Sequence, residues 1–470
     1  MTLFSMTKAG ALVLSMVLAC SIPADAATRK AGASAADSAA DSAVLSAHFQ
    51  KVLKGDGVCF KGGSNLKKED VQKARTLVWD AWRQANSTLE ELRLPGMPPL
   101  GPEKCLGYWT IPENLEPHAI LYYLWGTCGE RPSEGYPSYM YLHGSGNPDG
   151  EFSNGLQICL NIGGPAAFFI PRIPNANSEN GVSLYRWWQK GKQYVWERFF
   201  RQAFLNPDLD PLKLYFIGIS EGAYGSQRLA SFYADYLAGA GPIAGGEPLK
   251  NAPAENCANI AFSFRTGNDD LGFYRNILTG YTKEAFDSLA LAHPGLYNHN
   301  IEIPEGADHH SIGYYKTVPW LKDFKRNPYP TFVDWEDFEM DGIHRDGFYN
   351  IYIPERTYDG RRRYEMNIEG NDIALKVSDV AYEVVQTDPM WGIQMKFRKS
   401  YSESRDGKVV IYLSDELVDL DKPVTLTVNG KKAYKGMVKR NMGNIVNSCA
   451  LFYDPCRLYT ACIEVNIAEL

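Results

Sequence analysis

The chain has 470 residues, 45% hydrophobic and 13% aromatic, with no compositional sign of wholesale disorder. At about 100–200 residues per domain, that length predicts two or three domains. The formal net charge is −7 with no Lys/Arg block, which argues against a nucleic-acid partner.

In chain order, Lys8 precedes the apolar stretch A-G-A-L-V-L-S-M-V-L-A, too short to span a bilayer. Residues 1–26 are therefore expected to be an export signal. Two processing sites compete in it. Val17-Leu18-Ala19-Cys20 resembles a lipoprotein box, in which Cys20 becomes the lipidated N-terminus and attaches the chain to a membrane. Ala24-Asp25-Ala26 fits ordinary signal cleavage. The expected location is outside the cytoplasm: periplasmic, cell-surface or secreted. The Ala/Ser-rich stretch at 27–46 reads as a tether, although alanine also favours a helix.

Residues 47–106 form an N-terminal extension. Val71, Ala74, Val78, Ala81 and Trp82 recur at helical spacing, and L-P-G-M-P-P-L-G-P closes the segment. From 107 to 330, short unalternating apolar runs alternate with helical patterns. That texture predicts an α/β domain with a mostly parallel sheet covered on both faces. From 331 to 470 the runs alternate with period two and no helix stands out. Asn429-Gly430 between two such runs is a two-residue hairpin signal. This part is expected to be a C-terminal antiparallel β domain, sandwich-like.

Eight cysteines follow Cys20; Cys449, Cys456 and Cys462 are close enough in sequence for one bridge, with the pairing open. No C-x-x-C pair occurs, which argues against a structural zinc site.

The chemistry concentrates around I-G-I-S-E-G-A-Y-G at 217–225. An apolar strand runs into Gly218-x-Ser220-x-Gly222 and then into a helix, the setting of a nucleophile turn. In that topology an acid and a histidine follow, each after a later strand. The acid candidate is Asp270, three residues past Gly267, with Asp269 the alternative. The base candidate is His310 in A-D-H-H-S-I-G, with His309 the alternative. Oxyanion donors are expected from the Glu221 amide and from Gly144 or Ser145 in H-G-S-G. The Glu221 carboxyl is expected to point away from the reaction. Phe168, Phe169, Trp187, Trp188 and Trp196 lie in the segment expected to shape the pocket, where the bland reading is core.

On H-G-S-G at 143–146, G-I-S-E-G-A at 218–223, G-N-D-D at 267–270 and D-H-H-S-I-G followed by T-V-P-W-L-K-D-F, residues 107–330 resemble the α/β-hydrolase superfamily. The likeness is to secreted bacterial esterases of the feruloyl-esterase and polyhydroxybutyrate-depolymerase-like group, with fold-level overlap with prolyl-oligopeptidase catalytic domains. One departure is H-G-S-G where many lipases have H-G-G-G. The resemblance implies a serine hydrolase that cleaves small-molecule or polysaccharide-linked esters through an acyl-enzyme on Ser220. It implies no metal and no organic cofactor. Two other readings stand beside it. One is a serine peptidase of prolyl-oligopeptidase type, against which no propeller repeat is present. The other is a hydrolase-like scaffold whose β domain binds glycan or protein.

Overall fold

The computed structural model describes residues 35–56, 59–89, 93–102, 104–174 and 185–470. The export signal, both processing sites and Cys20 lie outside the described residues. The central layer is an eight-stranded sheet. Its strands are β1 (Leu106–Thr110), β2 (Ile120–Cys128), β3 (Tyr136–Leu142), β4 (Ala166–Pro171), β5 (Leu209–Ile219), β6 (Gly239–Ile243), β7 (Ala261–Arg265) and β8 (His299–Glu302). They lie in the order β1-β2-β4-β3-β5-β6-β7-β8. β1 and β2 pair antiparallel, as do β2 and β4, and the remaining pairs are parallel.

The apolar runs explain the layering. Every residue of β3 and β4 is buried, because alternate side chains enter cores on opposite faces of the sheet. Phe169 and Phe216 join a core with Trp196 and Phe199 of helix α4 (Lys190–Leu205) and Leu229 of helix α5 (Glu221–Tyr233). Phe168 and Ile217 face the other way, onto Leu156 of helix α3 (Pro148–Ile162) and Leu321 of the short helix α7 (Val318–Leu321). Between β7 and β8 runs helix α6 (Arg275–Ala292), whose Phe286 stacks on Phe262.

The C-terminal part is β-rich, in two sheets. One has the strands β10 (Gly347–Phe348), β11 (Ile351–Tyr352), β15 (Lys408–Leu413) and β18 (Ala461–Asn466). The other is built from β9 (Phe332–Asp337), β12 (Arg361–Glu369), β13 (Asp372–Thr387), β14 (Gln394–Glu403), β16 (Val424–Val428) and β17 (Lys431–Gly436). Its one parallel pairing joins β13 to β16, which the expectation of an antiparallel domain did not include. Asn429 and Gly430 both take positive φ, 49° and 75°, and turn β16 into β17. That is the twist-compatible turn that Asn-Gly favours.

Two helices depart from the sequence reading. Ala35–Leu53 is helix α1, so the Ala/Ser-rich stretch from residue 35 onward is not an extended tether. Leu45 and Phe49 are buried, and Phe49 packs edge-on against Trp82 of helix α2 (Val71–Ser87). Helix α8 (Met442–Phe452) lies inside the β-rich part, capped by the Asn441 side chain, which accepts from the Gly443 amide. The eight described cysteines are all free thiols, including Cys449, Cys456 and Cys462.

Candidate active site

β5 ends at Ile219 and α5 begins at Glu221, leaving Ser220 alone at the turn with φ 53° and ψ −112°. A non-glycine residue there is strained, and the surroundings must hold it. The Ser220 amide donates to Ile243 O at 2.9 Å. The flanking glycines are required by close packing. A Cβ on Gly218 would stand 2.1 Å from Gly222 O, and one on Gly222 would stand 1.9 Å from Leu142 O. Helix and strand can approach this closely only without side chains at those two positions.

Ser220 Oγ is 3.0 Å from His309 Nε2. On the far side of the ring, His309 Nδ1 is 2.6 Å from Asp270 Oδ2. The second oxygen, Asp270 Oδ1, accepts from Arg275 Nη1 at 2.7 Å. Asp270 is buried, so its carboxylate is held on both sides. Nδ1–H donating to this carboxylate leaves Nε2 as the acceptor for the serine proton. Asp269, the alternative acid, is exposed, and its amide donates to Ala307 O.

The base position corrects the sequence reading: His309, not His310, faces Ser220. Asp308 decides between them. Its Oδ1 accepts from the amides of His310 and Ser311 and from the Ser311 hydroxyl. These bonds hold its carboxyl down at about pKa 2 and wrap the turn so that His310 lies exposed. Tyr314 donates to His309 O at 2.8 Å and fixes the other side.

The oxyanion segment also departs from expectation at one position. Gly144 N donates to Glu151 Oε2 at 3.1 Å, and Gly146 N to Glu151 Oε1 at 3.2 Å. With its amide engaged, Gly144 is not a free donor. Ser145 lines the cavity beside Ser220, and its amide has no acceptor among the described residues. Glu221 is the first residue of α5, so its amide is one of the helix's free N-terminal donors. Behind the loop, His143 accepts from the Ile173 amide at 3.2 Å and bonds Gly144 O through Nδ1 at 2.7 Å. Burial lowers its pKa to about 4 against the opposing bond to Gly144 O, which keeps the ring neutral. Tyr185 and Trp187 donate to Gly144 O and His143 O. Sequence order alone could not show these supports.

A cavity of about 800 Å³ opens over Ser220. Of the five aromatics in the segment expected to shape it, Phe168, Phe169, Trp187 and Trp196 are fully buried, in line with the core reading, and Trp188 lines the cavity. Glu221, whose carboxyl is expected to point away from the reaction, is itself among the residues that line the cavity. It pairs with Arg186, while Arg228 pairs with Glu247 at 2.7 Å and covers the Trp188 ring at 3.9 Å. Burial raises the Glu221 carboxyl to about 8 even though Arg186 opposes the shift.

No protein-family model and no curated protein matches the chain. Among solved structures, a thermostable esterase matches 47% of this chain and 63% of its own at 17% identity, TM-score 0.35. A ferulic acid esterase matches 46% of this chain and 96% of its own at 12% identity, TM-score 0.35. A putative dipeptidyl aminopeptidase IV from Bacteroides ovatus matches 46% of this chain and 34% of its own at 13% identity, TM-score 0.34. The strand order, the parallel register of β3 through β8 and the strand–Ser220–helix turn make the central layer an α/β-hydrolase fold.

Proposed function

We propose that the chain is a serine hydrolase of carboxylic esters, forming an acyl-enzyme on Ser220. The observation that carries this reading is the continuous path from Ser220 Oγ through His309 to Asp270, at 3.0 and 2.6 Å. His309 Nε2 takes the serine proton as Oγ attacks the ester carbonyl. The Glu221 and Ser145 amides receive the charge that develops on the carbonyl oxygen. The protonated imidazole then gives its proton to the departing alkoxide, and the C–O bond breaks. Water, deprotonated by the same ring, releases the acid and restores Ser220.

The cavity supports an ester carrying a ring, including one attached to carbohydrate. Trp188 and Phe397 are aromatic members of its lining, and the Arg186–Glu221 and Arg228–Glu247 pairs provide polar partners for hydroxyls. The test is fluorophosphonate labelling of wild type and Ser220→Ala with mapping of the modified peptide, followed by a panel of acetyl esters, feruloyl esters and peptide amides. An adduct on Ser220, absent from Ser220→Ala, with esters cleaved faster than amides, is expected. A folded wild type that takes up no label would end this reading, and preference for amides would replace it with a peptidase.

A further inference from the structure

Resting on that hydrolase reading, we propose that the β13–β14 hairpin of the C-terminal part is the specificity arm of the Ser220 site. It walls the cavity against a bulky ester group and braces the segment that brings Arg275 to Asp270. β13 pairs with β12 only as far as Val380. From Ala381 to Thr387 its remaining partner is β14, so the arm projects beyond its own sheet. What it reaches is the catalytic layer. Ile393, Gln394 and Phe397, at and beyond its tip, line the same cavity as Ser220.

The tip also makes contacts at the head of α6. The Trp391 ring lies 4.7 Å from that of Phe273. The Asp388 carboxylate interacts with the Tyr274 hydroxyl and raises its pKa. Farther along, Lys396 sits 4.2 Å from the Tyr281 ring. The segment touched in this way is strained: Phe273 and Tyr274 are consecutive non-glycine residues with φ 52° and 56°. Such a pair persists where neighbours over-determine it. The next residue is Arg275, whose guanidinium stands 5.2 Å from the Phe273 ring and donates to Asp270 at 2.7 Å. A continuous set of contacts therefore runs from Trp391 through Phe273, Arg275 and Asp270 to His309. Trp391 is 53% exposed and contributes little to the core, which leaves this contact as its evident use.

The test uses the full chain and two substitutions, Phe397→Ala at the wall and Trp391→Ala at the brace. Aryl acetates and aryl esters of a naphthoyl acid are compared, and active sites are counted by fluorophosphonate titration. Phe397→Ala is expected to lower the naphthoyl-to-acetyl ratio of kcat/KM about tenfold, the size of one lost apolar wall contact. Trp391→Ala is expected to lower kcat and the labelling rate constant per titrated site severalfold with KM unchanged, and Trp391→Phe to restore both. Loss of folded protein alone would reduce the number of titrated sites and leave the rate constant intact; that result for Trp391→Ala, with unchanged selectivity for Phe397→Ala, would overturn the arm. A wild type unlabelled at Ser220 would overturn the hydrolase reading and this proposal with it.

Discussion

Ser220 occupies a backbone conformation that only a crowded turn maintains, and the crowding is set by two glycines. A Cβ at position 222 would meet Leu142 O at 1.9 Å, so β3, β5 and α5 would have to separate. Gly222→Ala is predicted to destabilise the fold by about 1–3 kcal/mol, the usual cost of overpacking. The thermal midpoint should fall, and fluorophosphonate uptake should be lost at temperatures where the variant is still folded. Gly218, Ser220 and Gly222 were legible because the turn is local. The choice of histidine was not: both follow β8 in the same turn, and their directions depend on Asp308 binding the amides after it and Tyr314 holding His309 O. An aspartate and a serine three residues apart signal that turn in sequence, but do not say which neighbour faces inward. The engagement of the Gly144 amide is not legible locally, because its acceptor, Glu151, sits seven residues away on α3.

Among the elements, strands of the central sheet could be read directly, since a run buried on both faces needs no alternation. α8 was hidden by its composition. Gly443, Asn444, Asn447 and Ser448 are poor helix formers. Burial of Ile445, Val446, Cys449 and Phe452 overrides that preference. The N-terminal extension was legible as a helix but not in its partner. Arg75 of α2 grips Glu416 with Nη1 at 2.6 Å and donates through Nε to Leu458 O at 3.0 Å. Burial would raise the Glu416 carboxyl, yet the Arg75 bonds hold it down at about 2, against an ordinary 4.5. A carboxyl lowered in the folded state stabilises above its unfolded pKa and loses that contribution as pH falls through the folded one. Acidification from pH 5 to pH 2 should therefore release part of the stability that α2 contributes. Thermal midpoints of wild type and Arg75→Met should differ at pH 6 and converge near pH 2. A constant difference across that range would contradict the assignment.

At the scale of the whole molecule, the C-terminal part is joined to the central α/β layer by a buried ionic junction. Asp235, just after α5, bonds Arg345 at 2.9 and 3.0 Å and Arg457 at 2.6 Å. Asp454 takes Arg326 and, at 2.8 Å, Arg457. Tyr236 stacks on Tyr453 at 5.3 Å beside them. The partners of Asp235 lie 110 and 222 residues away, and no periodicity connects them, so the sequence read as two adjoining domains. Removing one member of such a network leaves buried guanidinium groups uncompensated. Asp235→Ala is predicted to cost about 3–5 kcal/mol. Wild type should unfold in one transition seen identically by tryptophan fluorescence and far-UV circular dichroism; two separated transitions would show that the junction does not couple the parts.

The central claim, that Ser220 is activated by His309 and oriented through Asp270, is tested most directly by comparing His309→Ala with His310→Ala in ester hydrolysis and fluorophosphonate labelling. Loss of the general base should lower kcat of His309→Ala by about 10²–10⁴-fold with labelling slowed to match, while His310→Ala retains wild-type rates. The reverse pattern, or two variants that both remain active, would contradict it.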